Sequence, residues 1–156
     1  METVRRANDI VCAETAAPPC GVVIFGASGD LTRRKLLPAL FGLWRRDLLP
    51  EGFFVLGFAR TPMSDEAFRE RVDEAIRAAA PDGDRSDIAE FATACSYLAG
   101  NYDDGEAYAR LAERLNTLHR ERGTGGNTLF YVSTPPSVYT DIAANLHEAG
   151  LSREDG

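Results

Sequence analysis

Gly21-Val22-Val23-Ile24-Phe25-Gly26-Ala27-Ser28-Gly29-Asp30-Leu31 is the stretch that decides the fold. Its first five residues form a short apolar run bounded by glycines. Such a run reads as a strand buried on both faces of a parallel sheet, because neither face calls for a polar residue. The glycines that follow predict a tight turn. Beyond it, Leu36, Leu37, Leu40, Phe41 and Trp44 recur at helical spacing. Pro38 cannot sit in a helix interior, so the regular helix is expected to start near Arg34–Lys35, with Pro38 in its first turn, and to run through Arg45.

The same alternation continues outward. Phe53 to Phe58 reads as a second buried strand after the turn Pro50-Glu51-Gly52. Ser64 caps a helix to about Ala80, with Phe68, Val72 and Ile76 four apart. After a loop at Pro81 to Asp84, Ser86 is the expected cap of a shorter helix carrying Ile88 and Phe91. Ser96 to Ala99 is a third strand. Glu106 to about Arg120 is a helix with Tyr108, Leu111, Leu115 and Leu118 on one face, and Asp103-Asp104 cap it. The loop Gly123 to Gly126 precedes a fourth strand, Thr128 to Val132, and Pro136 to Glu148 is helical with Gly150 as its stop. Strands alternating with helices predict an α/β fold, a Rossmann-like doubly wound parallel sheet. A complete sheet of this kind carries fifth and sixth strands, so the fold is expected to be incomplete at its C-terminal end. Residues 1–20, closed by Pro18-Pro19, are expected to be a disordered leader, and 21–156 the nucleotide-binding domain.

Composition narrows the function classes. The chain has 156 residues, 44% of them apolar and 26% charged, which suits one domain with a real core. The net charge of −7 argues against non-specific nucleic-acid binding, which needs a basic face. It leaves an anionic ligand open, because a pocket answers to its local field. No apolar run approaches the ~20 residues of a membrane span. The three cysteines, Cys12, Cys20 and Cys95, are odd in number and lack metal-site spacing, so they read as reduced thiols of a cytoplasmic protein with no metal centre. Of 17 basic residues only Lys35 is lysine, which marks a position where arginine does not serve, or chance.

In an open α/β sheet, ligands bind at the carboxyl ends of the strands, and a glycine turn there lets a helix start donate N–H groups to a phosphate. Gly26 allows the turn, Gly29 a close approach, and Ser28 adds a hydroxyl. An ordinary strand-to-helix turn has the same spacing. The basic cluster Arg33-Arg34-Lys35 also suits a solvated helix face. The tip of the second strand discriminates further: Gly57-Phe58-Ala59-Arg60-Thr61 has no carboxylate for a ribose 2′-hydroxyl, whereas Arg60 can pair with a 2′-phosphate and stack on adenine. A plain surface arginine is the alternative.

At these residues the sequence closely resembles the glucose-6-phosphate dehydrogenase family. The family's Gly-x-x-Gly-Asp-Leu-Ala and basic triplet are matched by Gly26 to Lys35, with Thr32 in place of the alanine. Phe58 to Thr61, Ser96 to Asp104 and Phe130 to Tyr139 match three further segments, so the resemblance covers about residues 21–151. It implies NADP as cofactor. Gly26, Ala27, Ser28, Gly29, Asp30, Leu31, Thr32 and Arg33 would wrap the pyrophosphate. Lys35 would face the cofactor and substrate side, and Arg60 would hold the 2′-phosphate. Gly100 and Asn101 would lie by the adenosine, and Pro135 and Tyr139 near the nicotinamide or its ribose. Pro135-Pro136 equally suit a plain helix start, with cis and trans both open.

The resemblance further implies oxidation of glucose 6-phosphate to 6-phosphogluconolactone in the pentose phosphate pathway. The family's Lys-Pro motif, its base histidine, the sugar-phosphate clamp and the sheet domain that forms the dimer find no match in residues 1–156. The chain alone is therefore expected to be inactive, with no catalytic residue and no dimer surface, and to meet glucose 6-phosphate only within the full-length enzyme. His119 and His147 read as packing or surface residues. A stand-alone nucleotide-binding module without catalysis is the alternative.

Overall fold

The structure, a computed structural model, describes residues 16–154. The expected leader up to residue 15, and with it Cys12, lies outside the described residues. Four strands, β1 (Gly21–Phe25), β2 (Phe54–Ala59), β3 (Cys95–Ala99) and β4 (Thr128–Val132), form one sheet in the order β3-β2-β1-β4. Every pairing is parallel, in the register Val22↔Val55, Leu56↔Ser96 and Val22↔Leu129. The expected doubly wound arrangement is thus observed. β2 is shifted one residue toward the C-terminus at both ends from the expected span, and β3 begins one residue earlier, at Cys95.

The helices are α1 (Leu37–Arg45), α2 (Asp65–Ala79), α3 (Arg85–Thr93), α4 (Gly105–Arg122) and α5 (Tyr139–Glu148). They cover both faces of the sheet. Leu37 and Phe41 of α1, Phe68 and Val72 of α2, and Ile88 and Phe91 of α3 bury Val22, Ile24 and Val55 on one face. Tyr108, Leu111 and Leu115 of α4, with Ile142 and Leu146 of α5, bury Val23, Phe25, Leu56 and Phe58 on the other. All five residues of β1 are buried, as its apolar run requires. Each such side chain contributes about 1.5–3 kcal/mol of burial.

Local sequence explains most of the boundaries. Ser64 caps α2 by accepting the Ala67 N–H at 3.1 Å, and Asp104 caps α4 by accepting the Glu106 N–H at 3.1 Å. Gly150, at φ +74°, ends α5, with the Leu151 N–H donating to the Leu146 carbonyl at 2.9 Å.

Two expectations are corrected. The cap of α3 is Asp84, whose carboxylate accepts the Ser86 N–H at 2.7 Å; Ser86 lies inside the helix. The first helix begins at Asp30, well before Arg34–Lys35. A π turn over Thr32–Leu36, closed by the Leu37 N–H on the Thr32 carbonyl, leads into α1. The wider turn ends just before Pro38, whose missing N–H and ring would break a regular α ladder at that point. The cysteines differ in burial. The Cys95 thiol is pushed up to about 12 by burial, and Cys20 is raised by the same cause; both are free. Among the described residues no helix is long and apolar enough to cross a membrane, and no group of His, Cys, Asp or Glu could hold a metal.

A candidate dinucleotide-binding site

β1 lies between β2 and β4, so the strand order reverses beside its carboxyl end, the position at which open α/β sheets bind ligands. The glycine turn fills that position. Gly26 has φ +86°, and a Cβ on it would lie 2.2 Å from the Ser133 carbonyl oxygen of the chain leaving β4. Only glycine meets both conditions. Across the sheet, Gly57 of β2 makes room for Ala27, whose Cβ would be 2.7 Å from an added Cβ. The turn is further tied down by Gly26 N–H on the Phe58 carbonyl at 2.9 Å and Gly29 N–H on the Gly26 carbonyl at 2.9 Å.

Because the helix starts at Asp30, the N–H groups of the exposed Asp30 and Leu31 lie in its first turn with no partner among the described residues. Together with the helix dipole they form a donor set for an anion. The Thr32 side chain has another task. It is fully buried, and its hydroxyl donates to the Gly26 carbonyl at 3.1 Å, so it braces the turn from inside and leaves ligand contact to its neighbours. Asp30 pairs with Arg33 at 3.0 Å and Arg34 at 3.3 Å, and these guanidiniums hold its carboxyl below the ordinary range. Lys35, exposed in the π turn, has no ion pair among the described residues.

At the neighbouring β2 tip Arg60 is exposed, and its guanidinium carbon lies 5.9 Å from the centroid of the Tyr102 ring. Tyr102 is mostly buried against Phe58. Burial pushes its hydroxyl up and the Arg60 charge pulls it down. Thr61 joins the strand tip to the glycine turn: its hydroxyl donates to Ser28 Oγ at 3.4 Å, and its carbonyl accepts from the Tyr97 hydroxyl at 2.6 Å. Gly100 is brought to the same edge by its N–H on the Ala59 carbonyl at 2.9 Å, and Asn101 follows it, exposed.

On the β4 side, Ser133 N–H donates to the Phe25 carbonyl at 2.9 Å. Pro135 and Tyr139 are exposed beyond it, and Pro136 opens a single 3₁₀ turn with both prolines trans. Thr134 Oγ1 is buried there without a partner. Sequence reasoning missed Tyr102 and Thr134. Tyr102 stands in the segment Ser96 to Asp104, next to Gly100 and Asn101, and its signal was an aromatic at a strand's carboxyl end. Both histidines lie elsewhere. His119 bonds Thr124 and Thr128 at the amino end of β4, and His147 is exposed on α5 beside Ser152.

Residues 23–156 match the family model described as "Glucose-6-phosphate dehydrogenase, NAD binding domain". A glucose-6-phosphate 1-dehydrogenase of Aggregatibacter actinomycetemcomitans is 47% identical over 140 residues, covering 89% of this chain and 28% of that protein. Glucose-6-phosphate 1-dehydrogenase 2 of Mycobacterium bovis is 41% identical over 141 residues, 90% of this chain and 27% of its own length. Among solved structures, a glucose-6-phosphate dehydrogenase in complex with its substrate superposes with a TM-score of 0.74 at 35% identity, covering 88% of this chain and 28% of that one. The enzyme from Mycobacterium avium gives a TM-score of 0.74 at 32% identity, covering 87% and 28%. The chain thus spans little more than a quarter of the relatives it matches.

Proposed function

The chain belongs to the glucose-6-phosphate dehydrogenase family, and we propose that it supplies the NADP site of a cytoplasmic enzyme oxidising glucose 6-phosphate to 6-phosphogluconolactone. The observation that carries the cofactor choice is the β2 tip: Arg60 lies over Tyr102, beside a glycine turn with free N–H groups, and no carboxylate stands there.

The residues present fit the cofactor. The N–H groups of Asp30 and Leu31, with Gly26, Ala27, Ser28, Gly29 and Arg33 around them and Thr32 bracing the turn, would hold the pyrophosphate. Arg33 would exchange Asp30 for a phosphate oxygen, one exposed charge-assisted bond for another. Arg60 would grip the 2′-phosphate through its planar fork and present its flat face to the adenine, with the Tyr102 ring behind it. Gly100 and Asn101 would border the adenosine. Pro135, Tyr139 and the unpartnered Thr134 hydroxyl would face the nicotinamide end, where the buried oxygen gains the partner it lacks. Lys35, the lone lysine, would stand toward the sugar phosphate. Held by these residues, NADP would supply the hydride acceptor for the sugar. This chain's own part is to position and to shield. It brings no base to the turn, since His119 is held at the far end of β4 and His147 rides on α5.

The test is a calorimetric titration of the folded chain with NADP and, separately, NAD, followed by an assay with glucose 6-phosphate. Tighter binding of NADP without turnover supports the reading. A folded chain that binds neither dinucleotide overturns the cofactor site, and turnover overturns the division of labour.

A further inference from the structure

A second polar cavity lies along the opposite edge of the sheet, two strands from the glycine turn. It is walled by β3, α2 and α4 and has a volume of about 630 Å³. The polar groups of the β3 edge beside it are already engaged. Asp65 Oδ1 accepts the Tyr97 N–H at 2.8 Å, and Arg69 Nε donates to the Cys95 carbonyl at 2.9 Å. A further strand finds these positions closed, so the cavity is not a strand-docking groove.

What remains free in it is a set of donors. Arg69 keeps its two terminal nitrogens. Arg114 pairs with Asp65 through one nitrogen and keeps the rest of its fork. Arg110 has neither an ion pair nor a hydrogen bond among the described residues. The same cavity is lined by Ser96, 4% exposed, whose hydroxyl oxygen is buried without a partner among the described residues. Buried hydroxyls are almost always satisfied, and this one lines the cavity that the three arginines share.

We propose that this cavity binds a phosphate dianion, free or carried on a small monoester. The three guanidiniums and the hydroxyl come from three elements: Arg69 from α2, Arg110 and Arg114 from α4, and Ser96 from β3. A tetrahedral oxyanion offers oxygens in as many directions, whereas a carboxylate offers two in one plane. Glu113 and Glu121, both exposed on the α4 wall, oppose an anion, so recognition rests on the donor geometry and is weakened by salt. The inference is independent of the cofactor reading.

The experiment is a titration of the nitrogen-15-labelled full chain with sodium phosphate, and separately with sodium chloride at matched ionic strength and with glycerol 3-phosphate as a monoester. Saturable shifts at the amides of Ser96, Arg110 and Arg114, with phosphate and not with chloride, are expected. Tighter saturation by the monoester than by inorganic phosphate assigns the site to esters, and the reverse order to the free ion. Arg110→Ala, an exposed position that the fold does not need, weakens the affinity about tenfold, the loss of one charge-assisted bond. Arg60→Ala leaves it unchanged. The proposal is overturned by the absence of saturable shifts at these residues or by equal shifts with chloride. It is also overturned by affinity unchanged in Arg110→Ala, or by shifts confined to Gly26–Arg33 that vanish with Arg60.

Discussion

The Arg60 guanidinium carbon stands 5.9 Å from the centre of the Tyr102 ring, so the tips of β2 and β3 meet through a cation and an aromatic face. The ring limits where the guanidinium can swing and, on the proposed reading, would leave its outer edge to a phosphate. Arg60→Ala is expected to weaken NADP binding roughly ten- to a hundredfold while changing NAD binding little, because charge-assisted hydrogen bonds to a 2′-phosphate are worth about 1.5–3 kcal/mol. Arg60→Lys keeps the charge without the fork and should fall between the two. Parallel calorimetric titrations with both dinucleotides check this, and an equal loss for NADP and NAD would remove Arg60 from the 2′-phosphate role.

Gly26→Ala tests the turn itself. The substituted residue would hold φ +86° and place its Cβ 2.2 Å from the Ser133 oxygen. Strained backbone of this kind costs about 1–3 kcal/mol before the clash is counted. The expected outcome is a clear drop in Tm together with loss of dinucleotide binding. Thr32→Val removes only the hydroxyl that donates to the Gly26 carbonyl. It should cost about 1 kcal/mol in urea unfolding, with binding weakened and not abolished.

Much of this arrangement was legible in the sequence, and what was not has a common physical cause. β1, the Ser64 and Asp104 caps and the Gly150 stop are local signals, each decided by residues within one turn of the position concerned. The first helix went wrong because Pro38 admits two remedies, a late start or a widened turn, and the choice belongs to the chain upstream: starting at Asp30 brings Thr32 under Gly26. Asp84 and Ser86 offer similar capping oxygens two residues apart, and spacing alone does not rank them. Tyr102 under Arg60, and Asp65 between Tyr97 and Arg114, arise from strand order, since each joins residues far apart in sequence that meet only once β3 pairs with β2.

His119 ties the end of α4 to the start of β4, with one ring nitrogen on the Thr124 hydroxyl and the other on Thr128. The Phe54 ring packs edge-on at 5.1 Å. Burial lowers its pKa below 6.5, so the folded state favours the neutral ring. The sign follows from proton counting. Between the folded pKa and 6.5 the unfolded chain binds more protons, so stability rises with pH there. The contribution is complete above 6.5 and is lost as pH falls through the folded pKa. Urea unfolding across this range, for the native chain and His119→Gln, isolates the effect. The native chain should lose more stability on acidification than the variant, and parallel curves would rule out a titrating His119.

The two edges of the sheet differ. On β3, Asp65 and Arg69 occupy the outward groups. On β4, no strand among the described residues pairs with the outer edge, and Leu129 and Tyr131 are 61% and 41% exposed on one face. Thr128 to Val132 contains no charge and no proline to deter pairing. The purified chain is therefore expected to self-associate with rising concentration through β4, and Tyr131→Lys should suppress that association because a charge on an exposed edge resists strand addition. Light scattering over a concentration series reads the difference directly. Since Tyr131 is exposed and the substitution leaves the half-buried Phe130 and Val132 in place, Tm should change little. Association that persists unchanged in Tyr131→Lys would place the sticky surface elsewhere, whereas its loss would identify β4 as the edge on which the sheet is built to grow.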